Sequence, residues 1–213
     1  MPQETRNQKL ASLLYAVGAI VIGLGVLFFS MARATLEITA QENDEDKYRN
    51  NPIDFIVTYS DGTTEPYTYK LPGARTLPSH PAYGLKELRD TIWLALSIKP
   101  INKSKIALLI ADKKISEAAI LFNNNRPKSA LKASKEALDK LKYSDKVLGD
   151  DLTNDPQNLQ LHSQIFTAGF AYKEIINNAK EVFDMDLGKY EEISRELDRF
   201  NTTQKDKKEA MRF

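Results

Sequence analysis

An uninterrupted apolar run near the N-terminus constrains this chain more than any other feature. Residues 10–32 read LASLLYAVGAIVIGLGVLFFSMA, twenty-three positions without one charged side chain. A helix of that length measures about 34 Å, which is enough to cross a hydrocarbon core of about 30 Å. Helices of soluble domains are rarely apolar on every face over such a length. The run from Leu10 to Ala32 therefore predicts a transmembrane helix, with the lipid bilayer as its partner.

A cleaved signal peptide is the rival interpretation of the same run. Arg6 and Lys9 form a basic start, and residues 32–34 read ARA, a passable cleavage site. The apolar region of such a peptide has about 7–15 residues, so the longer run here favours retention in the membrane. The basic leader 1–9 predicts a cytoplasmic N-terminus and an extracytoplasmic C-terminal part. The reverse orientation stays open.

The part beyond the apolar run is electrically balanced. Of 30 basic and 29 acidic residues, two basic and one acidic precede the run, which leaves 28 of each sign after it. No concentrated positive field is available for phosphates, so we expect no nucleic acid partner. The chain contains no cysteine, which excludes disulfides, thiolate catalysis and a lipoprotein anchor.

A polar stretch and a strand pair follow the apolar run. Residues 33–52 contain the acidic cluster NDED and predict a linker. Residues 53–71 alternate apolar and polar side chains on both sides of a Ser-Asp-Gly turn, which indicates a β-hairpin. Two strands alone are marginal in water, so the hairpin must pack on the helices, on another strand or on a partner chain.

The remainder of the chain has helical periodicity. Residues 77–148 predict a module of three helices, and residues 155–211 predict a long C-terminal helical hairpin. The fold class is thus mostly α: one transmembrane helix, a short β-hairpin and a bundle of about five amphipathic helices. The positions expected to form the helix seams are Leu85, Leu88, Ile92, Leu96; Leu108, Ala111, Ile115, Ala118, Phe122; Ala130, Ala133, Ala137, Leu138, Leu141; His162, Ile165, Gly169, Tyr172, Ile176, Ala179, Phe183; and Leu187, Tyr190, Ile193, Leu197, Phe200.

The stretch LPSHPAYGL at residues 77–85 is a helix entry in this interpretation. Proline fits the first helical turn because its missing N–H needs no partner there, so Pro81 is expected to begin the helix and His80 or Ser79 to cap it. Tyr83 and Trp93 are expected to hold the helix against its neighbours.

The same stretch carries a resemblance to a bacterial family. Leu77-Pro78, PAYGLK at residues 81–86 and KSKIALLIADKKISEA at residues 103–118 resemble the proline-rich leader, helix start and helical pair of the membrane-anchored family with the domain of unknown function number 5667. The resemblance covers residues 71–144, about a third of the chain. It implies a membrane-associated helical module and supplies no catalytic residues.

No motif assigns a catalytic, cofactor-binding or metal site. His80 and His162 share no metal-ligand spacing, and no nucleotide-binding or hydrolase motif is present. The groups Asp150, Asp151, Asp155 and Asp184, Asp186 could hold a divalent cation, but helix capping accounts for them more simply. Residues 114–143 also resemble part of a tetratricopeptide repeat, although no second copy is visible.

These features predict a single-pass protein of the bacterial cell membrane that is not an enzyme. Its extracytoplasmic helical domain is expected to act as a protein-interaction or scaffold module of the cell envelope. The C-terminal helices are the expected surface for a protein partner or for self-association, because a seam of three heptads can close within or between chains. Two alternatives stay open, a membrane-anchored regulator that faces the cytoplasm and an envelope enzyme that uses carboxylates.

Overall fold

The structure, a computed structural model, describes residues 15, 18, 52–74, 76–78, 83–149, 155–182 and 187–210. The chain divides into two compact units, Met1–Lys47 and Tyr48–Phe213. Two residues of the first unit are described, Tyr15 and Gly18, and both are helical. All the strands and helices that follow belong to the second unit.

The predicted transmembrane segment 10–32 lies outside the described residues, except at Tyr15 and Gly18. Within the described part of the chain, no helix is both long enough and apolar enough to span a bilayer. The leader 1–9 and the linker 33–52 likewise lie outside it, except for Pro52. The span and its orientation therefore stay predictions.

The predicted β-hairpin is confirmed. Strands β1 (Ile53–Thr58) and β2 (Thr64–Tyr69) pair antiparallel, with Ile53 opposite Tyr69. In the turn, Gly62 has a φ of 82°, a left-handed conformation that glycine adopts without steric cost. The side chains that point toward the helices are those that the alternation predicts: Ile53, Phe55, Val57, Tyr59, Tyr67 and Tyr69.

The prediction of a mostly helical chain is also confirmed. The described helices are α1 (Tyr83–Leu96), α2 (Pro100–Asn123), α3 (Pro127–Leu148), α4 (Pro156–Val182) and α5 (Leu187–Ala210). Proline opens three of them, where its fixed φ and missing N–H suit the first turn. The expected start of α1 at Pro81 and its cap by His80 or Ser79 lie outside the described residues.

Two helix ends show how the sequence sets the boundaries. Asn125 follows α2 with a φ of 56°, and its N–H donates to the carbonyl of Phe122 at 2.9 Å. Arg126 N–H donates to the Leu121 carbonyl at 2.9 Å, which completes a Schellman-type cap. At the start of α4, Asp155 Oδ1 accepts a hydrogen bond of 2.9 Å from the N–H of Gln157.

The bundle is built from two antiparallel helix pairs. Helices α2 and α3 run side by side, and the hydroxyls of Ser104 and Ser144 meet at 2.8 Å in their buried contact. Helices α4 and α5 come close at Gly169, whose carbonyl accepts a hydrogen bond of 3.1 Å from Asn201 Nδ2. One core joins both pairs, and every seam position predicted for α2 to α5 whose burial the structure describes is buried. The predicted position Phe183 lies outside the described residues, and nothing is described of the Leu187 side chain. The predicted C-terminal seam thus closes within the chain.

The expected seam of α1 is the exception and is wrong at three of its four positions, since only Ile92 is half-buried. Leu85, Leu88 and Leu96 are 66%, 49% and 71% exposed, whereas Asp90 is the buried residue of this helix. The apolar periodicity predicted the stripe correctly, but the stripe faces outward. The reason is the set of charged partners that α2 and α3 present to α1.

Candidate functional site

The charged side of α1 packs against α2 and α3 through a buried lysine. Lys114 of α2 is 4% exposed. Its ammonium donates to the hydroxyl of Tyr83 at 2.7 Å and forms ion pairs with Glu87 at 2.5 Å and Glu136 at 2.6 Å. Burial tends to raise the pKa of Glu87, but the hydrogen bond and charge of Lys114 lower it. Lys114 of α2 thereby links α1 and α3 to its own helix through ion pairs.

A second buried pair reinforces this contact. Glu117 of α2 is fully buried, accepts a hydrogen bond of 3.0 Å from the hydroxyl of Tyr83, and forms an ion pair with Lys86. Burial, together with the nearby charge of Lys114, lowers the pKa of Lys86 to about 8. A buried carboxylate needs such partners, because removing one of them leaves an uncompensated charge. The prediction that Tyr83 holds the helix agrees with these contacts.

A cleft of about 270 Å³ lies where α1, α2 and α3 meet. Its acids are already engaged: Glu87 and Glu136 bind Lys114, and Asp139 accepts from Lys135 at 2.9 Å. Among the described residues, no group of three or more histidine or acidic side chains has the geometry to hold a metal ion. The acids of the cleft thus contribute to the contact between α1, α2 and α3. Its lining comprises Glu87, Asp90, Thr91, Ile110, Lys114, Glu136, Asp139 and Lys140.

The outward side of α1 forms what we call the uncharged face. The charged residues of α1 are buried or half-buried, and the most accessible of their side chains, Glu87 at 43%, lines the cleft. Three of the face's members, Gly84, Thr91 and Ala95, are small, and Leu88 lies between them. Positions 84, 88, 91 and 95 follow the three-four spacing of a seam that packs on another helix. The uncharged face comprises Gly84, Leu85, Leu88, Thr91 and Ala95.

The connection between α1 and α2 forms a second exposed apolar feature, the basic tip. Leu96 is 71% and Ile98 93% exposed at this turn. Three lysines surround them in sequence, and no acidic residue occurs from Thr91 to Ala111. The basic tip comprises Leu96, Ile98, Lys99, Lys103 and Lys105.

A buried carboxylate attaches the hairpin to the bundle. Asp112 of α2 accepts hydrogen bonds from the hydroxyls of Tyr69 in β2, at 2.9 Å, and Tyr172 in α4, at 2.7 Å. Burial raises the pKa of Asp112 to about 6, although both hydroxyls act in the opposite direction. Burial and the charge of Asp112 also raise the pKa of each tyrosine. The group thus joins β2, α2 and α4 through one carboxylate.

An aromatic cluster attaches the other end of the hairpin. Lys208 of α5 lies 4.6 Å from the ring centre of Tyr67 and 4.5 Å from that of Phe166. The Tyr59 and Tyr67 hydroxyls meet at 2.8 Å, and Phe55 stacks on Tyr67 with ring centres 5.8 Å apart. A cation over aromatic faces is attractive, the more so when water is excluded. The hairpin is therefore fixed to α4 and α5 by packing and charge.

The residues that the sequence singled out are not brought together. His162 lies in α4 and is buried at the helix interface, as predicted, and Asp155 caps α4. The other predicted candidates lie outside the described residues: His80, Asp150, Asp151, Asp184 and Asp186. Sequence reasoning missed the buried acids Asp112 and Glu117, because nothing in a helical pattern shows which acidic residue finds partners from distant segments.

Comparison of the chain with protein-family models, with curated proteins and with solved structures finds no match. The resemblance to the family with the domain of unknown function number 5667 therefore stays a prediction.

Proposed function

We propose that this chain is a single-pass membrane protein of the bacterial cell envelope whose extracytoplasmic helical domain binds an amphipathic helix of another protein. The anchor is the run from Leu10 to Ala32. The binding surface is the uncharged face of α1. The domain acts as a scaffold or interaction module, not as an enzyme.

The orientation of α1 is the observation that carries this proposal. Burying a leucine side chain stabilises a fold by about 1.5–3 kcal/mol, and the domain forgoes about half of that or more at Leu85 and Leu88, which are 66% and 49% exposed. In their place it buries ion pairs, whose desolvation offsets much of their attraction. Turning α1 around would bury the leucines but would leave Lys114 and Glu117 without their α1 partners, so the charges of α2 hold the stripe at the surface. An exposed apolar stripe that the fold maintains at this cost is typical of a protein-interaction site.

The shape of the uncharged face indicates its occupant. Gly84, Thr91 and Ala95 leave room for a close helix approach, and Leu88 supplies a knob between them. A face of fourteen residues or fewer is too small for a stable dimer on its own, since stable interfaces bury about 800 Å² per partner. A short amphipathic helix laid against α1 fits this surface better than a second copy of the domain. The outward sides of the C-terminal helices stay a proposed secondary contact.

Affinity capture from detergent-solubilised membranes tests the proposal. We expect the tagged chain to retain a second protein, and Leu88→Asp to lose it. Ile56→Asp is the matched control, because Ile56 is also an exposed apolar residue, 69% accessible, but lies on β1. Recovery of the same protein by the Leu88 variant, or of nothing but the chain itself by the unsubstituted protein, would exclude the uncharged face as the binding surface.

A further inference from the structure

The basic tip differs from the uncharged face in its chemistry. The face has no charge, whereas the tip combines two protruding apolar side chains, Leu96 and Ile98, with three lysines. Lys99 and Lys105 are exposed and Lys103 is half-buried. The Lys105 ammonium lies 3.4 Å from the side-chain oxygen of Gln157, so the charge itself stays available on the surface. These lysines would not strengthen the binding of an apolar helix of a protein partner.

We propose that the basic tip inserts into the headgroup region of an anionic lipid bilayer. Leu96 and Ile98 enter the boundary between headgroups and acyl chains, and the lysines lie at the level of the negatively charged headgroups. Apolar side chains with a basic rim are the combination that binds bilayer interfaces. Each lysine near an anionic surface strengthens such binding by about fivefold. The absence of acidic residues from Thr91 to Ala111 leaves this attraction unopposed in the local sequence.

The predicted anchor makes this contact accessible, and in that respect the inference rests on the proposed function. The predicted linker 33–52 has twenty residues, so a chain anchored at residues 10–32 would keep its helical domain close to the bilayer. The bilayer is therefore within reach of the domain at a high effective concentration. Two contacts, the anchor and the tip, would hold the domain in one pose on the membrane and leave the uncharged face free for its protein partner.

Because the chain contains no cysteine, single cysteines can report on this contact in the full-length protein. The environment-sensitive fluorophore NBD is attached at Ile98→Cys, with Ile56→Cys on β1 as the control. Each labelled chain is reconstituted into liposomes of phosphatidylcholine, with or without phosphatidylglycerol. We expect a severalfold rise and a blue shift of the emission from position 98 when phosphatidylglycerol is present, and no change from position 56.

The charge requirement is tested in the same samples. Replacing Lys99 and Lys105 together by glutamate should abolish the rise at position 98 without altering the folded state, since both side chains are exposed. Replacing the exposed Lys128, Lys132 and Lys146 of α3 in the same way should leave the rise unchanged. Equal signals from positions 98 and 56, or a rise that lipid charge does not affect, would overturn the proposal. So would a rise in detergent that depends on protein concentration, because it would indicate a second copy at the tip.

Flotation of the liposomes after alkaline washing separates this inference from the proposed function. If the chain floats but the emission from position 98 does not change, the chain has its anchor but no lipid contact at the tip. In that case only the inference fails. A chain that the wash releases has no membrane span. In that case the anchor fails, and with it the tether on which the tip contact rests.

Discussion

At the scale of single residues, Asp112 is where the hairpin, α2 and α4 meet. Its carboxylate accepts hydrogen bonds from Tyr69 and Tyr172 in surroundings that exclude water. Burial disfavours the charged form of an acid, so the fold favours the protonated carboxyl and raises its pKa from 3.8 to about 6. This group links the stability of the hairpin contact to pH.

The pH dependence follows from the direction of this shift. Since the native pKa is raised, the fold binds the proton more tightly than the unfolded chain does. The stabilisation from Asp112 is therefore complete below pH 4 and is lost as the pH rises through about 6. We expect the unfolding free energy to fall by about 2–3 kcal/mol from this source between about pH 4 and pH 7.

The variant Asp112→Asn isolates this contribution. Asparagine stays neutral, and its oxygen still accepts hydrogen bonds from the two tyrosines. The unfolding free energy of the wild type minus that of the variant should therefore fall as the pH rises. Other titrating groups cancel in this difference. Denaturant titrations of the full chain in mild detergent at pH 4.5 and pH 7.5 measure it, and a difference that is independent of pH would refute the assignment.

Gly169 permits the close approach of α4 and α5. A Cβ at this position would overlap Asn201 Oδ1 and lie 3.0 Å from Phe200 Cε1. Alanine favours helix by about 1 kcal/mol over glycine, but overpacking a buried contact costs about 1–3 kcal/mol. We expect Gly169→Ala to lower the unfolding free energy by about 1 kcal/mol.

Gly84 supplies the matched control for that substitution. It also lies in a helix, but no atom lies within 4 Å of the Cβ that alanine would add. Gly84→Ala should therefore raise the unfolding free energy by about 0.5–1 kcal/mol. Equal effects of the two substitutions in thermal unfolding would show that α4 and α5 are not in close contact at Gly169.

At the scale of secondary-structure elements, the sequence predicts which residues form the apolar stripe of a helix, but it does not always predict which way that stripe faces. The seams of α2 to α5 are confirmed because each apolar stripe has another apolar stripe to pack on. The same reasoning fails for α1, whose stripe is equally regular. Its direction depends on Lys114, Glu117 and Glu136, which lie one or two helices further along the chain. A periodic pattern identifies a face, but the partners that decide where the face points are revealed by the fold.

Two substitutions distinguish the orientations of α1 by their effect on stability. Lys114→Ala removes the cation that three helices share, and it should lower the unfolding free energy by about 1.5–3 kcal/mol, because Glu87 and Glu136 keep partial access to water. Leu88→Ser changes a side chain that is 49% exposed and should lower it by about 1 kcal/mol. Chemical denaturation of the full chain measures both. If α1 instead buried its leucines, Leu88→Ser would cost several kcal/mol and Lys114→Ala little.

At the scale of the whole molecule, the apolar run and the helical domain make separate predictions. The run predicts a bilayer anchor from its length and composition alone, because few other environments accept twenty-three uncharged residues. The basic leader before it predicts the orientation. Neither statement depends on the fold of residues 48–213, so each needs its own test.

Protease treatment of intact spheroplasts tests the predicted orientation. With the N-terminus inside, external protease should degrade the helical domain and leave a short membrane-protected fragment that carries an N-terminal tag. The same treatment after the cells are opened should remove that tag as well. A domain that survives until the cells are opened would show the reverse orientation, as expected for a cytoplasm-facing regulator.

Photo-cross-linking at the uncharged face tests the central claim most directly. A photoreactive phenylalanine derivative replaces Leu88 in one full-length chain and Ile56 in another, and both are irradiated in native membranes. We predict a covalent adduct with a second protein from position 88 and none from position 56, and the adduct should disappear when Leu85 is replaced by aspartate. Adducts of equal yield from both positions, or no protein adduct from position 88, would contradict the account.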